Sequence, residues 1–370
     1  MKAVILVGGL GTRLRPLTCN TPKPMLPVVG TPFIEWMLTN LRDQGISEAI
    51  LAVQYLADRF RTTLGDGSRL GMKVHIIEEP EPRGTCGAVK NVAHMLDDTT
   101  FIFNGDVMTD LDLQAMLRHH RQHQSELTIA LTPVEDPTAF GLVETTAEGR
   151  ITRFLEKPKP EEVTTNMINA GTYILEPHLL NYAPVNQHYM FERGLFPTAL
   201  QNNHRMYGFA STAYWTDIGK PQTYLEVHHD ILNGNMRFAL PGRQVRADLW
   251  VGHNTDIPAD THIHGTVVIG DNVQIGAGVT IVGPTVIGNN VRIGAGSTIS
   301  ASVLWHHNTV GNTCHIDRAV IGNNNTIADD CKIMHGVIIS DDCTIGRQNH
   351  FDHSMRIWPM TQLGDQAISF

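Results

Sequence analysis

The spacing of hydrophobic residues divides the chain into two parts near residue 240. In the first part, short apolar runs alternate with segments in which apolar residues recur every three or four positions. This alternation predicts strands separated by helices, and therefore an α/β domain with a mostly parallel sheet. The predicted strands cover residues 3–7, 49–53, 74–77, 101–103 and 127–131.

Local residues indicate where the first helix and a later hairpin lie. Thr31 can cap a helix, Pro32 suits its first position, and Gly45 suits its C-terminal end. Within 140–158 apolar residues recur at every second position, on either side of a turn at 148–149. That period predicts a β-hairpin, which would interrupt the alternation of strands and helices.

Isoleucine recurs with a period of six residues in the second part, at positions 257, 263, 269, 275, 281, 287, 293 and 299. A period of six predicts a short strand and a turn in each repeat, and stacked repeats bury one aliphatic column. The spacing slips after Trp305 and is regular again from Ile321, so we expect a loop to leave the stack between them.

This second part resembles the hexapeptide-repeat family, whose members fold as a left-handed parallel β-helix with three hexapeptides in each coil. The handedness comes from the resemblance, because most parallel crossovers are right-handed. The residues between 257 and 351 would then form about five coils. We therefore expect a linker at 236–256 and a β-helix domain at 257–370.

Charge and composition exclude several classes of protein. The 370 residues include 28 basic and 37 acidic side chains, and the formal net charge of −9 opposes binding to nucleic acid or to an anionic membrane. The hydrophobic share of 42% excludes a disordered chain. We expect neither nucleic acid nor a membrane as a partner.

The cysteines and the N-terminus bear on the compartment. The five cysteines are scattered and form no CxxC pair, which argues against a disulfide framework or a zinc site and favours a reducing compartment. The N-terminal apolar run at 3–7 is too short for the core of a signal peptide. We therefore expect a cytoplasmic protein.

A glycine-rich segment directly follows the first predicted strand and contains Gly8, Gly9, Gly11, Thr12 and Arg13. Glycines allow backbone N–H groups to converge on an anion, and a hydroxyl and positive charges strengthen such a phosphate site. Lys23, between two prolines, adds a further positive charge. The segment is neither a Walker loop nor a dinucleotide fingerprint, since Leu14 stands where the fingerprint has its third glycine.

These residues resemble the sugar-phosphate nucleotidyltransferase family, whose signature is a glycine-rich loop ending in Gly-Thr-Arg-Leu and a later Lys-Pro pair. Further matches occur in the family's order, at 81–85, 104–106, 140–144, 156–158, 169–171 and 215–219. The resemblance covers residues 1–235 and implies a Rossmann-like nucleotidyltransferase domain with a mixed, mainly parallel sheet. Segments 5–9, 13–18 and 215–219 are most similar to the subgroup that transfers guanylyl groups to mannose-1-phosphate.

The resemblance implies in-line attack by a sugar-1-phosphate oxygen on the α-phosphorus of a nucleoside triphosphate, with release of pyrophosphate. Since both reactants are anions, the protein has to position them and offset their charge. Asp106 follows an apolar strand, where the carboxyl edge of a parallel sheet faces the ligand crevice. With Asp217 it would hold Mg²⁺, the expected cofactor, although either aspartate alone could be a helix cap or a loop acid.

By the same resemblance, the other site residues divide by substrate. Arg13 would bind the pyrophosphate leaving group, Lys23 the phosphates at the reacting centre, and Lys157 the phosphate of the sugar. The nucleotide would also contact Leu6, Gly8, Gly9, Gly11, Thr12, Glu79 and Gly84. The sugar would contact Gly141, Glu156, Asn169 and Trp215. Lys157 could instead be a solvated lysine, and Trp215 a core residue.

The base is assigned through Glu79, which follows a strand at the position where the family places the residue that reads the base edge. A carboxylate accepts hydrogen bonds, and guanine offers N1–H and its exocyclic amine as adjacent donors, so Glu79 favours GTP. An exposed acid at the strand end is the alternative. The segment 23–28 is more similar to uridylyl- and thymidylyltransferases, so transfer to glucose-1-phosphate by such an enzyme stays open as a second interpretation.

A third interpretation is a catalytically silent regulatory subunit with the same two domains. The sequence argues against it because it retains the charged residues of the site, namely Arg13, Lys23, Asp106, Lys157 and Asp217. The histidine-rich repeats could also hold a second active site. We expect instead a module for homo-oligomerisation, with exposed apolar residues such as Trp305 at the contact.

Overall fold

The computed structural model describes residues 1–369, whose contacts group them into two units. The α/β unit comprises Met1–Gly9 and Ile34–Asp217, and the β-helix unit comprises Leu10–Phe33 and the chain from Ile218 onward. The glycine-rich segment therefore begins in the first unit and continues in the second. The predicted domain boundaries remain predictions. The grouping by contacts differs from them in placing residues 10–33 and 218–235 with the β-helix.

The elements before the repeats are short and alternate as predicted. In chain order the strands are β1 (Lys2–Val7), β2 (Pro27–Val28), β3 (Thr31–Pro32), β4 (Glu48–Val53), β5 (Lys73–Glu78), β6 (Thr100–Asn104), β7 (Val107–Thr109), β8 (Leu127–Pro133), β9 (Gly141–Thr145), β10 (Ile151–Glu156), β11 (Met167–Leu175), β12 (Met206–Ala210) and β13 (Trp215–Asp217). The α-helices are α1 (Phe33–Asp43), α2 (Ala57–Leu64), α3 (Gly84–Asn91), α4 (Leu113–Gln122), α5 (Phe196–Gln201) and α6 (Pro221–Leu232). Short 3₁₀- or π-helical segments lie at Thr12–Leu14, Lys23–Met25, Ser68–Leu70, Ala93–Met95, Pro137–Ala139, Pro160–Glu162, Pro177–Tyr182 and Phe191–Leu195.

The predicted sheet of the α/β unit is confirmed. Its strand order is β10-β9-β11-β6-β1-β4-β5, and β8 joins β11 to β12. Strands β6, β1, β4 and β5 run parallel, whereas β11 runs antiparallel to β6, so the sheet is mixed. Buried residues of the sheet and of α3 form the core, among them Val4, Val89 and Tyr173.

The predicted hairpin and first helix are also present. β9 and β10 pair antiparallel, and the turn between them has Gly149 at a φ of +83°. The helix α1 begins at Phe33 rather than at Pro32, because Thr31 and Pro32 form β3 and pair with β2.

The β-helix unit stacks short strands on three faces. The first face contains β14 (Arg243–Arg246), β15 (Leu249–Val251), β17 (Val267–Ile269), β20 (Thr285–Ile287), β23 (Val303–Leu304), β26 (Val320–Ile321), β29 (Ile338–Ile339) and β32 (Arg356–Ile357). The second face contains β16 (His262–His264), β19 (Thr280–Val282), β22 (Thr298–Ser300), β25 (His315–Asp317), β28 (Lys332–Ile333) and β31 (His350–Phe351). The third face contains β18 (Gln274–Ile275), β21 (Arg292–Ile293), β24 (Thr309–Val310), β27 (Thr326–Ile327), β30 (Thr344–Ile345) and β33 (Gln362–Leu363).

The periodic isoleucines form the interior column, as predicted, and Ile281 and Ile299 are fully buried. The stack is longer than five coils, because the parallel pairs of the first face run from β15 to β32. β15 lies inside the segment predicted as a linker and pairs in parallel with β17. It contributes Leu249 and Val251 to the column, so the isoleucine pattern does not reveal it.

The loop expected between Trp305 and Ile321 is absent from residues 1–369, so that prediction is wrong. Ile281 pairs with Ile299 at an interval of 18 residues, whereas Ile299 pairs with Ile316 at an interval of 17. Ile316 pairs with Ile333 at 17 residues as well, and the interval returns to 18 at the next coil. Two successive coils are therefore one residue shorter, which shifts the six-residue period without breaking the column.

Two further features concern the helices and the cysteines. Residues 1–369 include no helix that is both long and apolar enough to cross a membrane. The five cysteines are free thiols, and Cys86, Cys314, Cys331 and Cys343 are buried.

Candidate active site

Three residues meet at the carboxyl ends of β1, β4 and β5, namely Gly8, Gln54 and Glu79. A Cβ atom on Gly8 would lie 2.7 Å from Cδ of Gln54, so this approach requires glycine. Gln54 Nε2 donates a hydrogen bond of 2.8 Å to Oε2 of Glu79. Gly9 is exposed, with open space where its Cβ would be. Gln54 was not predicted, although its place one residue beyond a buried strand is a signal for such a site.

Glu79 is buried, so the alternative of an exposed strand-end acid is wrong. The residue is 3% exposed, and its Oε1 atom has no hydrogen-bond partner among residues 1–369. Burial raises the pKa of Glu79, while the hydrogen bond from Gln54 and the charge of Arg83 lower it. A buried oxygen without a partner costs free energy. This arrangement therefore favours a ligand that donates a hydrogen bond to Oε1.

Gly84 begins α3 with a φ of +71°. A Cβ atom there would lie 2.8 Å from the carbonyl oxygen of Tyr189, so a larger residue would displace that backbone. The Tyr189 N–H donates to the carbonyl oxygen of Arg83, and the Gly87 N–H donates to that of Tyr189, both at 2.8 Å. These bonds fix the start of α3 beside Arg83, whose charge acts on Glu79.

Asp106 lies in the turn between β6 and β7, against the end of β1. The Gly105 N–H donates a hydrogen bond of 2.9 Å to the carbonyl oxygen of Leu6, and a Cβ on Gly105 would lie 2.6 Å from that oxygen. β7 then pairs with β13, so that Asp217 lies opposite Val107. The two predicted aspartates are therefore neighbours across one strand pair, and both are half-buried.

The donor set of Asp106 and Asp217 fits a hard divalent cation. Mg²⁺ is usually held by one or two carboxylates together with substrate phosphates, rather than by an all-protein cage. The pairing of β7 with β13 places Asp217 opposite Val107, the residue directly after Asp106, so the two aspartates lie on adjacent backbone segments beyond the carboxyl end of β6. The residues present therefore fit the expected Mg²⁺.

Residues predicted for the sugar converge at the hairpin of β9 and β10. Gly141 lies opposite Glu156, and a Cβ on Gly141 would lie 2.6 Å from the ring of Phe154 and 3.1 Å from a carboxylate oxygen of Glu156. The Lys157 N–H donates a hydrogen bond of 2.9 Å to the carbonyl oxygen of Phe140. Lys157 is exposed and has a φ of +52°, so the strand ends in a sharp turn at the predicted phosphate ligand.

Strands β11 and β13 contribute Asn169 and Trp215. Oδ1 of Asn169 accepts a hydrogen bond of 3.0 Å from the Gly171 N–H, and its Nδ2 donates one of 2.9 Å to the Tyr173 hydroxyl. Trp215 is half-buried, and its Nε1 donates a hydrogen bond of 2.8 Å to the backbone of β11. The ring of Trp215 also packs edge-on against Phe140, with 5.5 Å between ring centroids.

Strand pairing places these groups along one edge of the sheet. β11 pairs with β9 so that Asn169 lies beside Gly141. A Cβ on Gly171, which has a φ of +73°, would lie 2.6 Å from Nδ2 of Asn104, two residues before Asp106. One edge of the α/β unit therefore carries the buried carboxylate, the two aspartates and the residues predicted for the sugar, with Glu79 after β5 and Glu156 on β10, at the two ends of the strand order.

Glu192 is a further acidic group near these residues that was not predicted. Its Oε2 accepts a hydrogen bond of 3.0 Å from the Thr85 hydroxyl, which in turn accepts one of 3.0 Å from the Phe191 N–H. Burial raises the pKa of Glu192, and the charge of Glu156 raises it further, while the bond from Thr85 lowers it. Glu192 has no motif of its own, so a single sequence gave no signal for it.

The other predicted phosphate ligands belong to the β-helix unit. Gly11 has a φ of +60° and precedes the 3₁₀ turn at Thr12–Leu14. The Thr18 hydroxyl donates a hydrogen bond of 2.8 Å to the carbonyl oxygen of Gly11, and a Cβ on Gly11 would lie 3.2 Å from Cβ of Lys23. Lys23 is 9% exposed, whereas Arg13 is exposed. Gly11 therefore allows Thr18 and Lys23 to pack against the loop backbone.

Three backbone carbonyl groups of segment 10–33 accept hydrogen bonds from side chains in the rest of the β-helix unit. Arg356 donates to the carbonyl oxygen of Arg15 (2.9 Å), Ser340 donates to that of Pro16 (2.9 Å), and Tyr224 donates to that of Pro27. Ser340 and Arg356 belong to the repeat coils, and Tyr224 belongs to α6. The segment that carries Arg13 and Lys23 is thus fixed by the repeats.

Trp305 is buried, and its prediction as an exposed contact is wrong. It is 2% exposed, because it follows β23 on the first face, where its Nε1 donates a hydrogen bond of 3.0 Å to the Tyr224 hydroxyl. Trp358 and Met360, near the end of the stack, are the strongly exposed apolar residues there, at 52% and 72%.

Two family models match separate parts of the chain. A model described as nucleotidyl transferase matches residues 2–234. A second model, described as the LbH domain of EIF2B subunit epsilon, matches residues 246–351. The two matches correspond to the part with alternating strands and helices and to the repeats.

Individual relatives are similar over part of the chain. The chain is 41% identical over 234 residues to a mannose-1-phosphate guanylyltransferase of Mycobacterium tuberculosis. The match covers 63% of this chain and 65% of that relative, which is less than two thirds of the relative's length. It is 33% identical over 269 residues to a UTP–glucose-1-phosphate uridylyltransferase of Synechocystis, with 69% of each chain covered. The structure of HddC from Yersinia pseudotuberculosis complexed with GMP-PN aligns with a TM-score of 0.53 and 31% identity, over 61% of this chain and 97% of that one. Since the first family model matches more than half of the chain, this protein belongs to the nucleotidyl transferase family.

Proposed function

We propose that this protein transfers a guanylyl group from GTP to mannose-1-phosphate, forming GDP-mannose and releasing pyrophosphate. Membership of the nucleotidyl transferase family supports the class of reaction. The 41% identity to the Mycobacterium tuberculosis mannose-1-phosphate guanylyltransferase supports the pair of substrates. The observation that carries the proposal is the buried Oε1 of Glu79, which has no hydrogen-bond partner among residues 1–369.

Glu79 would select the base through the hydrogen bonds that it accepts. Guanine presents N1–H and its exocyclic amine side by side, and a carboxylate can accept from both. Uracil and thymine present the O4 carbonyl oxygen, which would face the carboxylate with no proton between them. Gln54 orients the carboxylate, because it donates a hydrogen bond of 2.8 Å to Oε2.

The reaction requires no nucleophile from the protein, since a phosphate oxygen of mannose-1-phosphate attacks the α-phosphorus itself. A bond forms between that oxygen and the α-phosphorus, and the bond from the α-phosphorus to the bridging oxygen of the departing pyrophosphate breaks. Arg13 would bind the pyrophosphate, Lys23 the reacting phosphates and Lys157 the phosphate of mannose-1-phosphate. Their positive charges offset the repulsion between the two anionic substrates.

Asp106 and Asp217 would hold Mg²⁺, whose charge orients the phosphates of both substrates when it is bound. The pairing of Asp217 with Val107, the residue after Asp106, supports this assignment. Glu156 and Asn169 would form hydrogen bonds with mannose hydroxyls, and Gly141, where a Cβ would lie 3.1 Å from the Glu156 carboxylate, would allow that carboxylate its position. Trp215 would line this pocket.

We also propose that the protein acts in the cytoplasm as a homo-oligomer formed through the β-helix unit. Free thiols at all five cysteines support a reducing compartment. Exposed Trp358 and Met360 support a contact between copies, because water solvates such side chains poorly. Light scattering of the wild type and of Trp358→Ser tests the oligomer, and an unchanged mass for Trp358→Ser would exclude this contact.

Pyrophosphate release from a matrix of nucleotides and sugar phosphates tests the proposed reaction. GTP, UTP and dTTP are each combined with mannose-1-phosphate and with glucose-1-phosphate in the presence of Mg²⁺. We expect the highest kcat/KM for GTP with mannose-1-phosphate. Asp106→Asn, whose kcat should be more than about 100-fold lower, controls for contaminating enzymes. A preference for UTP or dTTP with glucose-1-phosphate would favour the second interpretation, and no release from any pair would favour a silent subunit.

A further inference from the structure

A group of possible metal ligands lies at the other edge of the α/β sheet. Glu126 directly precedes β8, His178 lies in the turn Pro177–Tyr182 after β11, and His204 precedes β12. β8 pairs in parallel with β12 and antiparallel with β11, so these three positions meet at one edge. β8 also runs in the direction of β6, since both pair antiparallel with β11, so Glu126 lies at the edge opposite Asp106.

The donor atoms of the three side chains converge. Nε2 of His178 and Nδ1 of His204 each lie 3.0 Å from Oε1 of Glu126. All three atoms lie within 4.8 Å of one another. Tetrahedral zinc, with bonds of about 2.0 to 2.2 Å, holds its ligand atoms about 3.3 Å apart. The separations to Glu126 are close to this value, and rotation of His178, whose side chain is 52% exposed, can close the third.

Neighbouring groups hold two of the ligands in place. Oε2 of Glu126 accepts a hydrogen bond of 2.9 Å from the Arg205 N–H, which leaves Oε1 for the histidines. The Tyr182 hydroxyl lies 2.9 Å from Nε2 of His204 and so fixes the ring that presents Nδ1 to Glu126. Backbone hydrogen bonds to Arg205 and from Glu176 fix Glu126 itself. In protein zinc sites the ligand side chains are typically oriented by such hydrogen bonds to neighbouring groups.

We propose that His178, His204 and Glu126 bind one Zn²⁺ ion, with a water molecule from solvent as the fourth ligand. Two imidazoles and a carboxylate suit zinc and similar borderline ions, whereas Mg²⁺ prefers oxygen alone. Each imidazole would bind the ion through its unprotonated nitrogen and carry its proton on the other ring nitrogen, Nδ1 of His178 and Nε2 of His204, and the Tyr182 hydroxyl oxygen can accept the latter proton in a hydrogen bond. The ion would link β8, β12 and the turn after β11, and would stabilise the α/β unit without taking part in the reaction, since the seven residues of β8 alone span about 20 Å.

Zinc titration of the full-length chain tests the proposal, with His178→Ala and His204→Ala as the site variants. His75→Ala is the matched control, because Nε2 of His75 makes one hydrogen bond, of 2.8 Å, to the single carboxylate of Glu48. The proteins are stripped with a chelator and titrated by calorimetry in excess Mg²⁺, which occupies the proposed aspartate site. We expect the wild type and His75→Ala to bind one Zn²⁺ ion with the same affinity. Both site variants should bind this ion at least about tenfold more weakly.

Two further measurements separate this site from other zinc-binding groups. Zinc should raise the melting temperature of the wild type and of His75→Ala, but not that of His178→Ala. Tyr182→Phe keeps the three ligands and loses the outer hydroxyl, so its zinc affinity should lie between those of the wild type and His204→Ala. Equal zinc affinity in the wild type and both site variants would overturn the proposal, as would no binding by the wild type. Turnover by zinc-free His178→Ala should equal that of the wild type, so this outcome is separate from the proposed function.

Discussion

Nε1 of Trp305 donates a hydrogen bond of 3.0 Å to the hydroxyl of Tyr224 within the β-helix unit. The same hydroxyl donates to the carbonyl oxygen of Pro27, in the segment that carries Lys23. Burial raises the pKa of Tyr224, although the bond from Trp305 lowers it, so the hydroxyl keeps its proton. A repeat coil thus fixes the backbone of the predicted phosphate-binding segment through one residue of α6.

Tyr224→Phe removes this hydroxyl, so the Trp305 N–H and the Pro27 carbonyl oxygen each lose the hydrogen bond that they form with it. Because a buried polar group that loses its partner costs about 1 to 3 kcal/mol, we expect the free energy of unfolding to fall by at least about 1 kcal/mol. The KM for the nucleotide should rise as the segment loosens. Tyr207→Phe is the control, since Tyr207 is half-buried and packs on His123 through its ring. Equal stability of the two variants in urea would contradict the role of Tyr224.

Asp106→Asn and Asp217→Asn each remove one negative charge from the proposed Mg²⁺ site and keep the size of the side chain. We expect kcat to fall by more than about 100-fold in each, or about 3 kcal/mol, with an unchanged circular dichroism spectrum. Asp112→Asn is the control, because Asp112 caps α4 through a hydrogen bond from Ala115 that asparagine can also accept. Near-normal rates for both site variants at limiting Mg²⁺ would show that the metal assignment is wrong.

Lys157→Ala should weaken the use of mannose-1-phosphate far more than the binding of the nucleotide. The exposed lysine would lose its charge at the sugar phosphate, so we expect its KM for mannose-1-phosphate to rise by about tenfold or more. Lys159→Ala, at the neighbouring Lys-Pro pair, should leave both KM values unchanged. Initial rates over both substrates decide this, and equal losses for the two substrates would count against Lys157.

His228 should make the stability of the protein depend on pH below neutrality. It is fully buried, and burial, helped by the charge of His229, lowers its pKa from 6.5 to about 4. Between these values the unfolded chain takes up a proton that the folded chain does not, so stability falls as the pH decreases, by up to about 3 kcal/mol. His228→Gln cannot titrate and should flatten this part of the curve. Urea unfolding at pH 7, 6, 5 and 4 measures it, and the same slope in both proteins would exclude His228 as the cause.

The β-helix is predictable from sequence because one interior position repeats in every coil. Ile281 and Ile299 show the period directly, and their burial follows from the column that they form. The shortened coils between Ile299 and Ile333 keep the column, so a slip in spacing does not distinguish a deleted corner residue from an inserted loop. The first strand of the first coil, β15, contributes Leu249 and Val251 instead of isoleucine, so the period of isoleucines did not reveal it.

The local parts of the candidate site were likewise predictable, since they depend on neighbours in sequence. Gly8 follows a strand and Asp106 follows another, and strand ends of this kind meet at one edge of a parallel sheet. Gln54 and Glu192 depend on contacts with residues far away in sequence, which no spacing encodes. The burial of Trp305 depends in the same way on its pairing with α6.

Selection of guanine by Glu79 is tested most directly by the ratio of kcat/KM for GTP to kcat/KM for UTP, both measured with mannose-1-phosphate. The wild type should prefer GTP, and Glu79→Gln should lower the ratio by about 5- to 150-fold, equivalent to about 1 to 3 kcal/mol, because one acceptor for guanine becomes a donor. Glu78→Gln is the control, since Glu78 is 54% exposed and pairs with Arg61. A ratio that is the same in the wild type and Glu79→Gln, or a wild type that prefers UTP, would contradict the assignment of guanine to Glu79.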